Sequence, residues 1–338
     1  MANAASVSFS HSFAGDELLE IYVNKYVSST HNIAVTTYDN VKYKLNLYDS
    51  TGFNDVLKRG NSAGFTTSGA ITITDNTLEV KEIKSEGEQA WTTFSTNAWS
   101  AVLGNGVGRA DLSGTPLADF LISEFVDKTI DNMISCDWFG VYASGVDVFG
   151  SYDGLFLDML YNGNGGNITK TTISGYTTGS ALNTDAAIDT ILPSMYDDSD
   201  ITLRGRNKAD LRYLVSPTIY QNYEASLRNL GTEMANMMVL DGMNTLAFNG
   251  IPVIQVLEWE RDLANADNPL STLLTVSGNH LGLLTTQDNL VIGTDYGVDS
   301  TSLETWYNID EQKLRMRTQT VRGAKVRTPK LISLAYFF

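Results

Sequence analysis

The sequence predicts an α+β fold, and three observations carry that prediction. The first is one long helix: across residues 115–140 the apolar positions Leu117, Phe120, Leu121, Phe125, Val126, Ile130, Met133 and Ile134 recur mostly at three- and four-residue steps. Thr115 offers a hydroxyl N-cap, and Pro116 sits where a missing N–H costs nothing. At a rise of about 1.5 Å per residue such a helix spans about 33 Å, most of the width of a small domain. The second is the material on both sides of it, which mixes strand patterns, turns and shorter helices irregularly, without the strict alternation of an α/β chain. The third is a long alternating stretch from Glu304 to Val321 that finishes in LISLAYFF.

Composition bounds the function. With 338 residues and 43% hydrophobic content the chain can bury a sizeable core. A formal net charge of −16 argues against a protein whose main task is neutralising phosphates. The charge is uneven, because residues 312–338 hold seven basic side chains (Lys313, Arg315, Arg317, Arg322, Lys325, Arg327 and Lys330) and no acid. That basic tail is expected to meet acidic groups of its own or of neighbouring copies. Cys136 is the sole cysteine, so no intrachain disulfide forms; on the long helix, with no histidine near it in sequence, it reads as a small core residue and not a nucleophile. The N-terminal MANAASVSFSHSFAG has neither a basic n-region nor an apolar h-region, and no apolar run approaches the roughly 20 residues that span a bilayer. The expectation is a protein made in the cytoplasm or released by lysis, with no membrane partner. The sequon at Asn167 is then a chance match.

In chain order, residues 1–14 suit an extended arm, and DELLEIYVNKYV (16–27) reads as a short helix after an acidic first turn. Val41, Tyr43, Leu45 and Leu47 alternate with polar residues as a half-buried strand. Glycines at 52, 60, 64 and 69 surround Lys58 and Arg59 before apolar positions return at Ile71, Ile73, Leu78 and Val80. Two strands around a soft basic tip make a long hairpin, whose unpaired edges call for a neighbour. Trp91, Phe94 and Trp99 lead through a glycine-rich turn into the long helix; GNGVG at 104–108 lacks the dinucleotide-binding spacing. After the flexible loop YNGNGGN comes the helix DAAIDTILPSMY, with Pro193 expected to disturb its end. Leu211 to Val215 is a buried-strand candidate running into Ser216-Pro217 and a helix, and Asn249-Gly250 between apolar stretches is a strong hairpin signal. Residues 289–293 add a short strand.

Catalytic and metal signatures do not assemble. His11, His31 and His280 are scattered and read as surface or capping residues, and the acidic run Asp197-Asp198-Ser199-Asp200 lacks the glycine and distal glutamate of a calcium loop. The acid pairs Asp127/Asp131 and Asp185/Asp189 are ordinary exposed helix-face neighbours, and no nucleophile elbow, Walker loop or zinc signature is present. No cofactor and no enzymatic activity are expected.

The order of these features resembles the major capsid proteins of tailed double-stranded DNA bacteriophages with the Hong Kong 97-like fold. The resemblance rests on LRYLVSPTIYQNYEASL (211–227), NTLAFNGIPVI (244–254), NLVIGTD (289–295) and the basic terminal strands. It implies an N-terminal arm at 1–40, an extended β-hairpin loop at 41–88, a peripheral domain with a spine helix at 89–144, an axial domain at 145–303, return strands at 304–330 and a C-terminal strand at 331–338. It implies a structural protein of the virion, assembled in the host bacterial cytoplasm into pentamers and hexamers of an icosahedral shell that encloses DNA without sequence-specific binding. Scaffold, portal and decoration proteins are candidate partners; with so few residues before the first helix, a scaffold is expected as a separate protein or not at all. In that picture Gly52, Phe53, Lys58, Arg59 and Phe65 of the extended loop touch an adjacent subunit. Arg315, Arg317, Arg322, Lys325 and Arg327 pair with acids between subunits, and Leu117, Phe120, Leu121, Phe125, Ile130 and Met133 form the spine-helix core. Nothing identifies partners for a crosslink at Lys58. Two other readings remain open from sequence: an encapsulin-like compartment shell, or a β-rich carbohydrate-binding or hydrolytic protein drawing on sixteen tyrosines and five tryptophans.

Overall fold

The computed structural model describes residues 35–51, 72–90, 116–146, 148–162, 168–173, 181–229, 246–270, 280–295 and 303–337. The long helix α1 runs Pro116–Phe139. Its stripe Ile122, Val126, Ile130, Met133 and Ile134 is buried in the main core, and from Met133 to Gly140 every residue is buried. The apolar stripe therefore widens into an all-round buried end, as in a helix enclosed by its own domain. Phe120 departs from expectation: it is 45% exposed and is not a core residue, because it precedes the first inward position, Ile122, by two residues and points to a different face. Leu121 and Phe125 pack on the core while partly exposed. Thr115 and the side chain of Leu117 lie outside the described residues. At the end of α1, Trp138, Phe139, Phe156 and Trp259 form an aromatic cluster with centroid distances of 5.0–5.6 Å, Phe139 stacked on Phe156 and Trp259 edge-on to Trp138 and Phe156. Gly140 is required there, since a Cβ would fall 2.2 Å from the Tyr152 carbonyl oxygen of the returning chain.

That returning chain makes the short turn α2 (Leu155–Leu157), continued by a π-helical turn, Asp158–Asn162. Facing it is a five-stranded sheet built on one long strand, β12 (Lys313–Val326). Along one edge of β12 lies β4 (Lys81–Ala90), in register from Lys313↔Ala90 to Arg322↔Lys81. Along the other edge lie β11 (Leu303–Asn308) and then β10 (Leu290–Thr294), with β1 (Val35–Tyr38) parallel to β10. The sequence places residues 81–88 in the extended loop; here they are sheet. Along β12 the even positions Leu314, Met316, Thr318 and Thr320 are buried, whereas Lys313, Arg315, Arg317, Gln319 and Val321 are half-exposed on the other face.

The strands β2 (Lys44–Thr51) and β3 (Thr72–Glu79) form the stem of the expected hairpin. Its root is pinned by burial of Leu47 and Leu78 on Val291. Gly323 makes this possible: a Cβ there would meet the Glu79 carbonyl oxygen at 2.3 Å. Tyr43 lies before the paired strand and is 62% exposed, so the inward alternation expected at that position is not followed.

A six-stranded sheet runs β5 (Thr169–Ile173), β13 (Ile332–Phe337), β9 (Leu281–Thr286), β6 (Leu211–Val215), β8 (Ile251–Gln255), β7 (Leu246–Phe248). Asn249 and Gly250, at φ 52° and 82°, make the tight turn between β7 and β8 that their sequence calls for. On one face Tyr213, Val215 and Leu284 share a cluster with α3 (Leu192–Asp197), α4 (Ile201–Arg204) and α5 (Pro217–Asn229). On the other, Leu214, Leu283 and Leu334 join α1 and α6 (Leu257–Leu263) in the main core. Pro193 does not disturb the end of its helix; it occupies the first turn of α3, and a π-helical turn, Ala187–Ile191, precedes it.

Candidate assembly surface

The half-exposed face of β4 and β12 is a charged ladder. Register places Glu88 opposite Arg315 and Glu86 opposite Arg317. Lys313 Nζ donates to Glu88 Oε1 at 2.6 Å, and Arg315 Nη2 donates to Glu311 Oε2 at 2.6 Å. Arg315 Nε also lies 3.5 Å from Glu88, and Arg317 Nε 3.6 Å from Glu86. The Lys313 hydrogen bond holds the Glu88 carboxyl below its ordinary range, and Lys84 does the same for Glu86. Each such exposed pair contributes little alone, and the set fixes the register of an otherwise polar strand.

The predicted inter-subunit cations therefore divide. Arg315 and Arg317 stand on this face. Arg322 and Lys325 do not fit an inter-subunit role, because both are committed inside their own chain. Arg322 is 2% exposed, its Nε donating to Asp137 Oδ1 at 2.9 Å and its Nη2 to Asp137 Oδ2 at 2.7 Å. The buried Tyr152 hydroxyl donates to the same carboxylate at 2.7 Å; burial first, then the Asp137 charge, hold Tyr152 well above its ordinary pKa. Lys325 Nζ donates to Asp158 Oδ1 at 2.5 Å, and the Val326 N–H to Asp158 Oδ2 at 3.1 Å. The reason is position: Arg322 shares the inward even-numbered face of β12 with Leu314 and Met316 and meets Asp137 of α1, and Lys325 is reached by Asp158 of the π-helical turn. Arg327 lies just past the strand, exposed and without a carboxylate partner among the described residues. With Tyr48, Arg206, Asp210 and Asp288 it lines a polar cleft of about 470 Å³. The extended-loop residues Gly52, Phe53, Lys58, Arg59 and Phe65 lie outside the described residues.

Two polar readings change as well. His280 is buried, with Nδ1 2.8 Å from the Thr218 hydroxyl, and is not a surface residue. Asp200 caps α4, accepting the Thr202 N–H at 2.8 Å. Cys136 is buried and its pKa pushed up to about 12, chiefly by desolvation, so the thiol stays protonated. Among the described residues no group of three or more His, Cys, Asp or Glu could hold a metal ion, and no helix is long and apolar enough to cross a membrane.

The sequence matches no family model and no curated protein. Solved structures are similar in fold. A chain of the satellite phage P4 procapsid including size determination (Sid) protein superposes with a TM-score of 0.52 at 11% identity, covering 95% of this chain and 98% of that one. The capsid of an empty GTA particle gives 0.51 at 12% identity over 91% and 90%, and a chain from Gordonia phage Cozz 0.54 at 10% over 91% and 85%. This chain has a phage capsid fold. Several large apolar side chains stand exposed on this single chain: Ile201 (76%), Leu257 (60%), Ile309 (54%) and Tyr142 (53%).

Proposed function

We propose that this chain is the major capsid protein of a tailed double-stranded DNA phage, a structural subunit that tiles an icosahedral shell in the virion. The observation that carries the reading is the end-to-end likeness in fold to capsid structures, which takes in nine-tenths or more of this chain and of the P4 and GTA chains alike. The layout proposed is Hong Kong 97-like. An N-terminal arm and an extended loop rooted on β2 and β3 reach a neighbour; α1 with β4, β11 and β12 makes the peripheral part; the six-stranded sheet makes the axial part, around which pentamers and hexamers form. Gly52, Phe53, Lys58, Arg59 and Phe65 are the proposed loop contacts, and Arg315, Arg317 and Arg327 the cations available to acids of an adjacent copy.

Chemistry supports this division. An acidic subunit, at a net charge of −16, encloses DNA without gripping it. Symmetry lets each small contact repeat across the shell, and closure removes exposed strand edges. Scaffold, portal and decoration proteins are the partners to seek. Electron microscopy of the protein expressed alone and beside candidate scaffold genes tests the reading; closed shells of uniform size are expected. Strictly monomeric protein under both conditions, absent from virions by mass spectrometry, would overturn it.

A further inference from the structure

One exposed knob and one cleft on this chain are complementary. The knob is the turn between β11 and β12, residues 308–312. Its Ile309 is 54% exposed at the tip of a hairpin. The turn is preorganised: the Asp310 N–H donates to Asn308 Oδ1 at 3.1 Å, and Gln312 takes the left-handed conformation at φ 53°. Glu311 is drawn back onto Arg315 at 2.6 Å, whereas Asp310, beside the isoleucine, is exposed and has no cation partner among the described residues. The cleft, of about 300 Å³, lies between β4 and α1. Ile83, Phe125 and Met133 supply apolar lining, and Lys84 and Lys128 stand on it. Lys128 is exposed and without an ion pair among the described residues; Lys84 is shared with Glu86 at 3.0 Å. Gly87 helps shape the site, because a Cβ there would come within 3.0 Å of the Phe125 ring.

We propose that Ile309 of one copy seats in the β4–α1 cleft of a second copy, with Asp310 against Lys128 and Lys84. An apolar plug beside an acid meets an apolar floor edged by Lys128 and by Lys84, the latter shared with Glu86 of the same lining, so the match in sign rests chiefly on Lys128. Knob and cleft occupy different places on the chain, so the contact can repeat head to tail, and we take it as heterologous. Each copy offers a knob to one neighbour and a cleft to another, which is the requirement for a closed ring or shell. The contact deepens the shell reading and rests on it.

Paired cysteines test it in the full-length chain. Asp310→Cys with Lys128→Cys, both at exposed positions, is assembled and mildly oxidised. Disulfide-linked multimers are expected in the double variant and in neither single one, since the bond needs Cα atoms within about 7 Å. Charge exchange supplies a second readout: Asp310→Lys should lower the assembly rate about tenfold and adding Lys128→Glu should restore it, each tenfold being about 1.4 kcal/mol. Normal shells from the double cysteine variant without multimers, or from Ile309→Asp at the parent rate, overturn this contact and leave the shell reading standing. So does cross-linking mass spectrometry of parent shells that places residues 52–71 in the cleft. Parent protein that never leaves the monomer overturns the shell reading and this contact with it.

Discussion

Replacing Arg322 with methionine removes one side of the most deeply buried ion pair described in this fold. The two side chains are 3% and 0% exposed, and the guanidinium makes a two-pronged contact at 2.9 and 2.7 Å. Methionine keeps most of the aliphatic stem, so the change isolates the charge. Asp137 would be left in the core without its guanidinium, a loss of about 3–5 kcal/mol. That is a large fraction of the roughly 5–15 kcal/mol that holds a typical domain together. Urea unfolding of the unassembled subunit, followed by tryptophan fluorescence, reads it, since fully buried Trp138 adjoins Asp137 in sequence. Arg322→Met with Asp137→Leu should regain most of the loss, because no charge is then stranded. Arg315→Met on the exposed ladder is the control and should cost at most about 1 kcal/mol. If Arg322→Met stayed within about 1 kcal/mol of the parent, the pair would be solvated and the account of β12 wrong.

Three further outcomes are expected. Gly323→Ala forces a Cβ to within 2.3 Å of the Glu79 carbonyl oxygen, so it should loosen the hairpin root by at least about 1–3 kcal/mol, whereas Gly87→Ala meets only the movable Phe125 ring; hydrogen exchange in β3 would separate them. Glu86 and Glu88 have depressed folded-state pKa values, so their contribution is complete above the ordinary 4.5 and is lost as pH falls through the folded values. Glu88→Gln should flatten the acid limb of a stability–pH curve below about 4.5, most visibly at low salt; an unchanged limb would contradict the ladder. Cys136, at a pKa of about 12, should resist thiol reagents at pH 8 until the subunit unfolds; prompt labelling of the native protein would count against its burial.

Local chemistry made much of the fold legible in the sequence. The spacing along α1, Pro217 at the start of α5 and the Asn249-Gly250 turn act over a few residues, and each element forms where those residues direct, whereas the alternating stretch from Glu304 to Val321 folds back at 309–312 into the two strands β11 and β12. The strand β4 was hidden because its inward positions, Ile83, Ser85 and Gly87, include just one large apolar residue between charged ones. The strand β9, Leu281–Thr286, is buried at five of six positions and so carries no period. Phe120 went astray because a list of apolar spacings does not say where the buried stripe begins. The Arg322–Asp137 pair joins residues 185 positions apart. A trace of it was present in ISCDWFG, where Asp137 is the sole charge in the buried last turn of α1, but its partner is fixed only by tertiary packing.

The position of β12 bears on when this subunit is born. It pairs with strands whose residues lie as far back as Lys81, and β13 lies between β5 and β9. Residues 313–337 thus close both sheets, through contacts of very long sequence separation that form slowly. During synthesis the earlier strands wait unpaired on the sides that β12 and β13 will fill, and the main core lacks Met316, Val326, Ile332 and Leu334 until residues 313–337 have been made. Completion of the fold thereby waits for residues 313–337, so a chain not yet elongated that far presents neither the finished ladder nor the 308–312 turn in its final setting to another copy.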